Sequence, residues 1–510
     1  MSSTGHSWSP IFGKDGQILI SMVGLDTVEK LPNITALPFP ESAPTELEQI
    51  DIVAGEPRVP GNSLVRVGCA TTNERLRRWC NENNRVTLPL NVIMVELTLG
   101  GSNAPICHGA GRRNQTLSDL VRKIEYVDAN GELRSVDKVE HLRAASGCFG
   151  LMGVVTHITL EFSPMTYAML DPKKIPVIHA VPPPPGMREE NIPPALLKDW
   201  KGLTPAQKQG YQTDFEQRAT NDYYSEWFWF PYSDNAWVNT WNNTEDPKGS
   251  TPFPDKTGIF LSFVQSFTLN ILQNTPLLSE LITVTGMAEA AVTLISRAAM
   301  YALPEKRVKT QLPDALHFQR AIQNVRVRDI EVEIPLVAKA GAPANTIDFT
   351  SVQQAWWDAI LLTYENNKTC PMRMPLEMRI MGGSEVVMAP QRGNALGTCS
   401  IEVLTLKSQA KLWTPFAQSV LDKWMALEDP SGKKLKIRPH WAKEWYDFQV
   451  DGKPWLERLM SVDYKDERQE FMQILAEIGK EAGWTLEDLR SRFSNDLFDK
   501  LFFDGVVVKN

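Results

Sequence analysis

The segment AASGCFGLMGVVTHITLEF, residues 144–162, decides the fold prediction. It places Gly147, Gly150 and Gly153 directly before an apolar run that predicts a β-strand up to residue 162. Because glycine lacks a Cβ atom, glycines at this spacing allow tight turns and a close approach of the backbone to another group. The segment therefore predicts a strand that follows a crowded, glycine-lined turn.

A second glycine-rich segment, LTLGGSNAPICHGAGRRNQTLSDLV (97–121), surrounds His108 with Gly100, Gly101 and Gly109. Backbone N–H groups of such glycines can converge on an anion such as a phosphate. The spacing is not the GxGxxG pattern that opens a helix in a dinucleotide-binding βαβ unit, so that fold is not predicted. Tight turns alone explain the cluster equally well, and both interpretations stay open on the residues alone.

The flanking sequence predicts short strands with a few helices. The predicted strands are QILISMVGL (17–25), NSLVRVGCA (62–70) and the two arms of LVRKIEYVDANGELRSV (120–136) around an Asn-Gly turn. TTNERLRRWCNENN (71–84) has helical periodicity behind a threonine cap. Residues 171–194 are proline-rich, which is typical of a linker or a surface loop partly in polyproline II. Residues 454–493 are predicted to be helical.

Composition excludes several classes of function. The chain has 510 residues, of which 43% are hydrophobic, and a formal net charge of −8. These values predict a sizeable core in two or three domains, and they argue against nucleic acid or an anionic membrane surface as a partner. The six cysteines include no CxxC pair, so neither a metal site nor a disulfide scaffold is predicted. Polar residues interrupt the apolar segment 258–295, which predicts amphipathic helices over a pocket rather than an integral membrane span.

Four motifs in a fixed order resemble the FAD-binding domain of the vanillyl-alcohol-oxidase-type (PCMH-type) flavoproteins. They are GHSWSP (5–10), the GG…HG segment (100–109), LSDLVRKIEYVDANGE (117–132) and GCFGLMGVVTHITLEF (147–162). Later segments resemble the aldonolactone and alditol oxidase branch, and more closely still the covalent-flavin cholesterol oxidases. They are SEWFWFPYSDNAWVNTW (225–241), MPLEMRI (374–380), IRPHWAKEW (437–445) and SRFSNDLFDKLF (491–502).

The resemblance implies an α+β fold, in which a PCMH-type FAD-binding domain is joined to a substrate-binding cap with an antiparallel sheet flanked by helices. It divides the chain into a flavin domain (1–165), a cap domain (166–435) and a C-terminal segment (436–510) that returns to the flavin domain. In the family a β-α-β unit precedes the GHS turn, and this sequence starts without that unit. We expect a misassigned start site, and no compartment is predicted.

FAD is the cofactor that the resemblance implies, attached covalently through His6. In the family, the histidine of this turn bonds to the C8α methyl group of FAD. A neutral imidazole is a competent nucleophile, and Gly5 allows the sharp turn that directs it. The positions assigned to cofactor binding are Gly5, His6, Ser7, Trp8, Ser9, Gly100, Gly101, His108, Gly109, Gly147, Gly153 and Val154.

Four catalytic residues follow from the same resemblance. Glu377 and Arg379 lie two apart on a predicted strand and share a face, so we expect the arginine to keep the carboxylate ionised as an acceptor for a substrate hydroxyl. A surface ion pair is the alternative. Lys443 can stabilise the negative charge of reduced flavin. His440 is either the general base or a buried, hydrogen-bonded histidine.

Two positions depart from the sterol-oxidase branch. Sterol-oxidase-like relatives carry an acidic residue at the position of His440, whereas the sugar oxidases carry a histidine there. Glu402 stands where the sterol-oxidase-like relatives have an asparagine. Glu331 and Glu333 share one face of a predicted strand, where they either line the pocket or lie on an exposed edge.

A group of aromatic residues also allows two interpretations. They either form the core of a sheet or provide an apolar wall for a large, flat substrate. These residues are Trp227, Trp229, Trp237 and Trp241.

The activity that the resemblance implies is that of an FAD-dependent alcohol oxidoreductase with O2 as the acceptor. The hydride of a small-molecule alcohol passes to flavin N5, and O2 is reduced to H2O2. The apolar segment favours a secondary alcohol on a sterol-like molecule. His440 favours the alternative, an aldonolactone or polyol. A flavin-less remnant is the third hypothesis, and the oligomeric state is not predicted.

Overall fold

The computed structural model describes residue 22 and residues 43–254, 288–318 and 327–508. The predicted strand 17–25, the GHSWSP turn and the apolar segment before residue 288 lie outside the described residues.

The first sheet contains the segment that decides the fold. In chain order its strands are β1 (Ile50–Val53), β2 (Ser63–Gly68), β3 (Val86–Thr87), β4 (Val121–Val127), β5 (Leu133–Val136) and β6 (Val154–Pro164). Within the described residues they pair antiparallel in the order β1-β2-β6-β4-β5, and β3 also pairs with β6. The predicted strand after Gly153 is therefore the central strand of this sheet.

The remaining strands form a larger sheet and two small hairpins. In chain order they are β7 (Tyr167–Leu170), β8 (Lys173–Pro176), β9 (Tyr224–Trp229), β10 (Asn235–Thr244), β11 (Val308–Gln311), β12 (Val327–Pro335), β13 (Val337–Ala338), β14 (Ile347–Asp348), β15 (Leu376–Met381), β16 (Thr398–Leu406), β17 (Arg438–Pro439), β18 (Gln449–Val450) and β19 (Lys453–Pro454). The described part of the larger sheet has the order β11-β7-β10-β9-β15-β16-β12-β17, and β8 also pairs with β10.

Helices cover both sheets. In chain order they are α1 (Asn73–Asn83), α2 (Leu99–Asn103), α3 (Val139–Ala145), α4 (Val177–Ala180), α5 (Pro194–Leu197), α6 (Pro205–Asn221), α7 (Ala288–Ala302), α8 (Leu312–Leu316), α9 (Thr350–Glu365), α10 (Ala410–Met425), α11 (Trp455–Arg458), α12 (Lys465–Ala482), α13 (Leu486–Phe493) and α14 (Asp496–Phe498). Single 3-10 turns lie at Glu46–Glu48, Leu117–Leu120, Glu189–Asn191 and Lys407–Gln409, and π-helical turns lie at Leu459–Asp463 and Asp499–Phe503.

The local predictions for the first sheet are confirmed. Helix α1 begins after Thr72, whose side chain accepts a hydrogen bond from the Arg75 N–H, as expected for a threonine cap. β4 and β5 flank the predicted Asn-Gly turn. The proline-rich segment is only partly a loop, because β8 joins the larger sheet and α4 follows it directly.

The C-terminal segment contacts both sheets. β17 pairs with β12 in the larger sheet. Helix α12 then packs on α3, where Arg143 and Glu470 form an ion pair at 2.6 Å. The change of sheet between β6 and β7 lies near the predicted boundary at residue 165, and the domain division itself stays a prediction.

Two of the central strands of the larger sheet are buried along their whole length. Every residue of β9 and β16 is buried. Of the aromatic group, Trp227 and Trp229 are fully buried, and Trp241 stacks on Tyr224 with ring centroids 4.9 Å apart. These side chains pack against the protein itself, so the structure favours the sheet-core interpretation over an apolar substrate wall.

Candidate active site

Two neighbouring rows of the larger sheet bring the charged residues together. In the first row, Glu377 on β15 lies opposite Glu402 on β16, and Glu402 lies opposite Glu331 on β12. In the second row, Glu226, Arg379, Ser400 and Glu333 follow one another across β9, β15, β16 and β12. Residues two apart on a strand share a face, so both rows project to the same side of the sheet.

Arg379 connects three carboxylates. Its Nε donates to Glu226 Oε1 at 2.7 Å, its Nη2 to Glu377 Oε2 at 2.7 Å, and its Nη1 to Glu402 Oε1 at 3.2 Å. Arginine suits this position because its planar guanidinium presents several N–H donors in fixed directions. The predicted Glu377–Arg379 pair is therefore present, and it belongs to a buried network rather than to a surface ion pair.

Lys443 is the second cationic centre of the network. Its Nζ donates to Asp329 Oδ2 and Glu402 Oε2, each at 2.7 Å, and lies 3.4 Å from Glu331 Oε2. The loop that carries it is fixed on β12, because the His440 N–H donates to the Glu331 carbonyl and the Glu444 N–H to the Asp329 carbonyl. Glu402 thus connects the two cationic centres.

His108 reaches the network from the glycine-rich loop. The Gly111 N–H donates to the Ile380 carbonyl at 2.6 Å, which attaches this loop to β15. The ring Nδ1 lies 2.9 Å from the Gly109 carbonyl, and Nε2 lies 3.2 Å from a carboxylate oxygen of each of Glu331 and Glu333. Burial opposes the charged ring, but the two carboxylates outweigh burial and raise the pKa of His108 to about 10.

His440 differs from His108 in its protonation. Its ring lies 5.3 Å from that of His108, between centroids, and burial lowers its pKa to about 3. The Ala442 N–H donates to Nδ1 at 3.2 Å, which places the proton of the neutral ring on Nε2. A ring that holds its proton on Nε2 and resists a second one is a poor general base. The structure favours the alternative interpretation, a buried and hydrogen-bonded histidine.

The surroundings of Glu377 act against its expected ionisation. Burial and the neighbouring Glu402 raise the pKa of Glu377 well above its usual range, although Arg379 acts in the opposite direction. The expectation considered only the arginine two residues away on the same strand. It missed the carboxylate directly opposite on β16.

The network has an accessible side and a buried side. The side chains of Lys443, Glu377 and Arg379 are 24%, 15% and 12% exposed. Glu331 and Glu333 are almost fully buried behind them, so the alternative of an exposed strand edge is wrong for these two residues. Lys443, Glu377 and Arg379 are therefore the partly exposed members of the network among the described residues.

The glycines predicted to bind the cofactor are packed against the chain's own atoms. A Cβ atom on Gly147 would lie 2.5 Å from the Ile106 side chain, and one on Gly153, whose φ is +138°, would lie 2.2 Å from the Val127 carbonyl. Among the other glycines, the Gly100 N–H donates to the Cys69 carbonyl and the Gly101 N–H to the Thr98 hydroxyl.

These contacts explain the glycines by packing, and a cofactor role for Gly100, Gly101, Gly109, Gly147, Gly153 and Val154 stays a prediction. The predicted cofactor residues Gly5, His6, Ser7, Trp8 and Ser9 lie outside the described residues.

Sequence reasoning did not select Glu226, Asp329 or Ser400, although each directly contacts a predicted residue. A signal was present: Asp329, Glu331 and Glu333 occur at every second position of one strand, and Ser400 and Glu402 do so on another. Charged residues on one face of an otherwise apolar strand indicate a buried polar row.

Three residues of the site have side chains of the kind that bind metal ions. His108, Glu331 and His440 each bring a ligand atom within 4.8 Å of the others. Lys443 lies against Glu331, however, and the lone pair of His440 Nδ1 accepts the Ala442 N–H. We assign no metal here, and the absence of a metal requirement stays a prediction.

Residues 205–480, more than half of the chain, match the D-arabinono-1,4-lactone oxidase family. The chain belongs to this family. The match includes Arg379, Lys443 and all six carboxylates of the network, whereas His108 lies before the matched residues.

A part of the chain is also similar to the L-gulono-1,4-lactone dehydrogenase of Mycobacterium tuberculosis. The two are 27% identical over 162 residues, which are 32% of this chain and 31% of that relative. The match thus spans less than a third of the curated relative's length.

Two solved structures share the fold of this family member. A solvent-stable cholesterol oxidase has a TM-score of 0.61 at 17% identity, with 89% of this chain and 84% of that chain covered. A cholesterol oxidase from Brevibacterium sterolicum has a TM-score of 0.59 at 16% identity, with 89% and 83% covered. At these identities the likeness shows the fold alone.

These comparisons confirm the predicted relationship to the vanillyl-alcohol-oxidase-type FAD-linked oxidoreductases and the α+β fold class. The family and the dehydrogenase relative are both named for lactones, and the substrate of this chain stays a proposal. Among the described residues, no helix combines the length and apolar character needed to cross a membrane.

Proposed function

We propose that the protein is an FAD-dependent oxidoreductase that oxidises a hydroxyl group of a sugar-acid lactone. The observation that carries this proposal is the charged network. Its accessible side consists of an arginine, a lysine and a glutamic acid, and further carboxylates lie directly behind them. A substrate with several hydroxyl groups can exchange hydrogen bonds with such a surface.

A sterol fits the described site less well. A hydrophobic substrate would remove water from Arg379, Glu377 and Lys443 without offering them hydrogen bonds, and desolvation of charged groups without compensation is strongly unfavourable. The tryptophans that could have supplied an apolar wall are used in the core of the sheet. The predicted apolar cover before residue 288 lies outside the described residues.

The accessible residues fit the cofactor that the family implies. A fixed ammonium group beside a guanidinium suits the electron-rich N1 and C2=O edge of a flavin, and Lys443 is held for this role by Asp329 and Glu402. FAD, when bound, supplies the acceptor for the hydride of the carbinol carbon. Lys443 would lie on the cofactor side, and Arg379 and Glu377 would orient the substrate hydroxyl groups.

The substrate class is tested by reduction of the flavin. The purified protein is mixed anaerobically with D-arabinono-1,4-lactone, L-gulono-1,4-lactone, an alditol or cholesterol, and the flavin absorbance is followed. We expect the lactones to bleach the flavin at least tenfold faster than the other two compounds. Reoxidation by O2 or by a dye then separates an oxidase from a dehydrogenase. Bleaching by cholesterol alone would overturn the lactone proposal.

We also propose that the flavin is covalently bound through His6. The support is the GHSWSP resemblance, since a histidine after a glycine can reach the flavin methyl group in a sharp turn. Acid precipitation is expected to leave the yellow colour in the protein pellet of the wild type and in the supernatant of the His6→Ala variant. His141→Ala is the matched control and should keep the pellet yellow. Yellow colour in the wild-type supernatant would contradict a covalent bond between the flavin and the protein.

A further inference from the structure

Three carboxyl groups occupy one row of the larger sheet. Glu377, Glu402 and Glu331 lie opposite one another on three neighbouring strands. Side chains in such positions have Cβ atoms roughly 4.5–5.5 Å apart, and like charges directly opposite are destabilising. The row therefore needs cations or protons to remain folded.

The cations of the network are shared among too many carboxylates. Arg379 forms ion pairs with Glu226, Glu377 and Glu402. Lys443 forms ion pairs with Asp329, Glu331 and Glu402, and His108 with Glu331 and Glu333. Among the described residues, six carboxyl groups thus face three cationic groups. An uncompensated buried charge costs several kcal/mol, so some of these carboxyl groups must hold protons.

The hydrogen bonds indicate which member of the row is neutral. Glu402 accepts from Arg379 on one oxygen and from Lys443 on the other. Glu331 faces Lys443, His108 and the Ser400 hydroxyl. Glu377 accepts from Arg379 on one oxygen and forms a side-chain hydrogen bond with Glu402, which requires a proton on one of the two carboxyl groups. Its side chain keeps 15% exposure on the accessible side of the network. It is the least compensated carboxyl group of the row.

We propose that Glu402 holds Glu377 in its neutral form, so that Glu377 has an O–H donor that turns from Glu402 to an acceptor oxygen of the substrate when the substrate binds. The inference rests on the proposed function and makes it more specific, because a lactone carbonyl is an acceptor that an alditol lacks. Glu402 is a positioning residue: it acts through Glu377. The raised pKa of Glu377, caused by burial and by Glu402, agrees with this arrangement.

The charged and titratable groups that face Glu377 come from its own strand and from both neighbouring strands. They are Arg379 on β15, Tyr224 and Glu226 on β9 and Glu402 on β16. Arg379 opposes the neutral form of Glu377, and the two nearby carboxylates favour it. Removing Glu402 therefore favours the ionised form of Glu377, because Arg379 then faces one carboxylate fewer.

Infrared spectroscopy of the full-length protein, as isolated, tests the pair without substrate or turnover. A neutral carboxyl group has a C=O band separate from the carboxylate bands. At pH 7 the wild-type protein should have this band and the Glu377→Gln variant should lack it, so that the band appears in the difference spectrum of the two. Glu402→Gln should lose the same band because Glu377 ionises, and the double variant should lose no more. Glu402→Asp, which keeps the charge, should retain the band.

The matched control is Glu161→Gln. Glu161 is also buried and paired with an arginine, Arg122, but it belongs to the first sheet. Its replacement should leave the neutral-carboxyl band unchanged. A Glu377→Gln spectrum without loss of the band would overturn the proposal, and so would a band that survives in Glu402→Gln.

Catalysis gives a second measurement. The alkaline limb of kcat/KM for a lactone should report ionisation of Glu377, and Glu402→Gln should move it to lower pH by about one unit, a tenfold change in proton affinity. An unchanged alkaline limb would contradict the role of Glu402. If no lactone is oxidised but both Glu377→Gln and Glu402→Gln lose the neutral-carboxyl band, the inference about the carboxyl pair is supported and the proposed function is contradicted.

Discussion

Replacement of Arg379 by methionine is expected to lower the free energy of unfolding by about 3–5 kcal/mol, because it removes one partner of a buried ion-pair network. The side chain is only 12% exposed, and it donates to Glu226, Glu377 and Glu402. Its loss leaves three carboxyl groups facing one another without the guanidinium. Denaturant unfolding followed by tryptophan fluorescence measures the change.

Two further variants separate charge from packing. Glu226→Gln in the Arg379→Met background should restore part of the lost stability, since Glu226 is fully buried and keeps only neutral hydrogen-bond partners such as Asn239 and Tyr224 among the contacts described for it. Arg328→Met is the matched control, because Arg328 forms a two-hydrogen-bond pair with a single carboxylate, Glu444, and is 24% exposed. It should lose clearly less than Arg379→Met. Equal losses in the two arginine variants would contradict the network argument.

The backbone around the site could be predicted from the sequence, because the deciding signals are local. The apolar run in GVVTHITLEF predicted β6, and the two-residue spacing in MPLEMRI placed Glu377 and Arg379 on one face of a strand. A threonine cap predicted the start of α1. Each of these inferences depends on residues close together in the chain.

The contacts across strands could not be predicted in the same way. Glu377 and Glu402 are far apart in sequence, and only the register of β15 on β16 places them opposite each other. The same register decides that Glu331 completes the row. A one-residue slip would turn every one of these side chains to the other face of the sheet. The effect of Glu402 on the ionisation of Glu377 therefore comes from a contact that local spacing does not contain.

The two departures from the sterol-oxidase branch have different consequences in the structure. His440 is a neutral, buried ring that accepts a backbone N–H. Glu402 adds a carboxyl group between Arg379 and Lys443, where an asparagine would add no charge. Of the two, Glu402 changes the electrostatics of the accessible residues more directly. The identity of residue 402 is thus a physical reason to expect a different substrate from that of a sterol oxidase.

Replacement of Lys443 by methionine is expected to lower kcat/KM for the lactone by about 10²–10³-fold, the range found when one preorganised charge or donor is removed from an active site. Lys443 combines three carboxylate contacts with 24% exposure, so it offers positive charge to the site where negative charge develops during the transfer. Stopped-flow reduction of the flavin absorbance measures the rate.

Controls distinguish this electrostatic role from a structural one. Lys443→Arg keeps the positive charge and should recover part of the rate. Lys309→Met removes a lysine that pairs with Asp246, which is 62% exposed, and the rate should stay within about twofold of the wild type, as expected for a surface ion pair. A Lys443→Met rate within tenfold of the wild type, in a protein that keeps its flavin and its unfolding midpoint, would show that the ammonium serves only to compensate Asp329, Glu331 and Glu402. Since the pKa of Asp329 is already raised to about 7 by burial, that outcome would mean that protons on the carboxyl groups can replace the lysine charge.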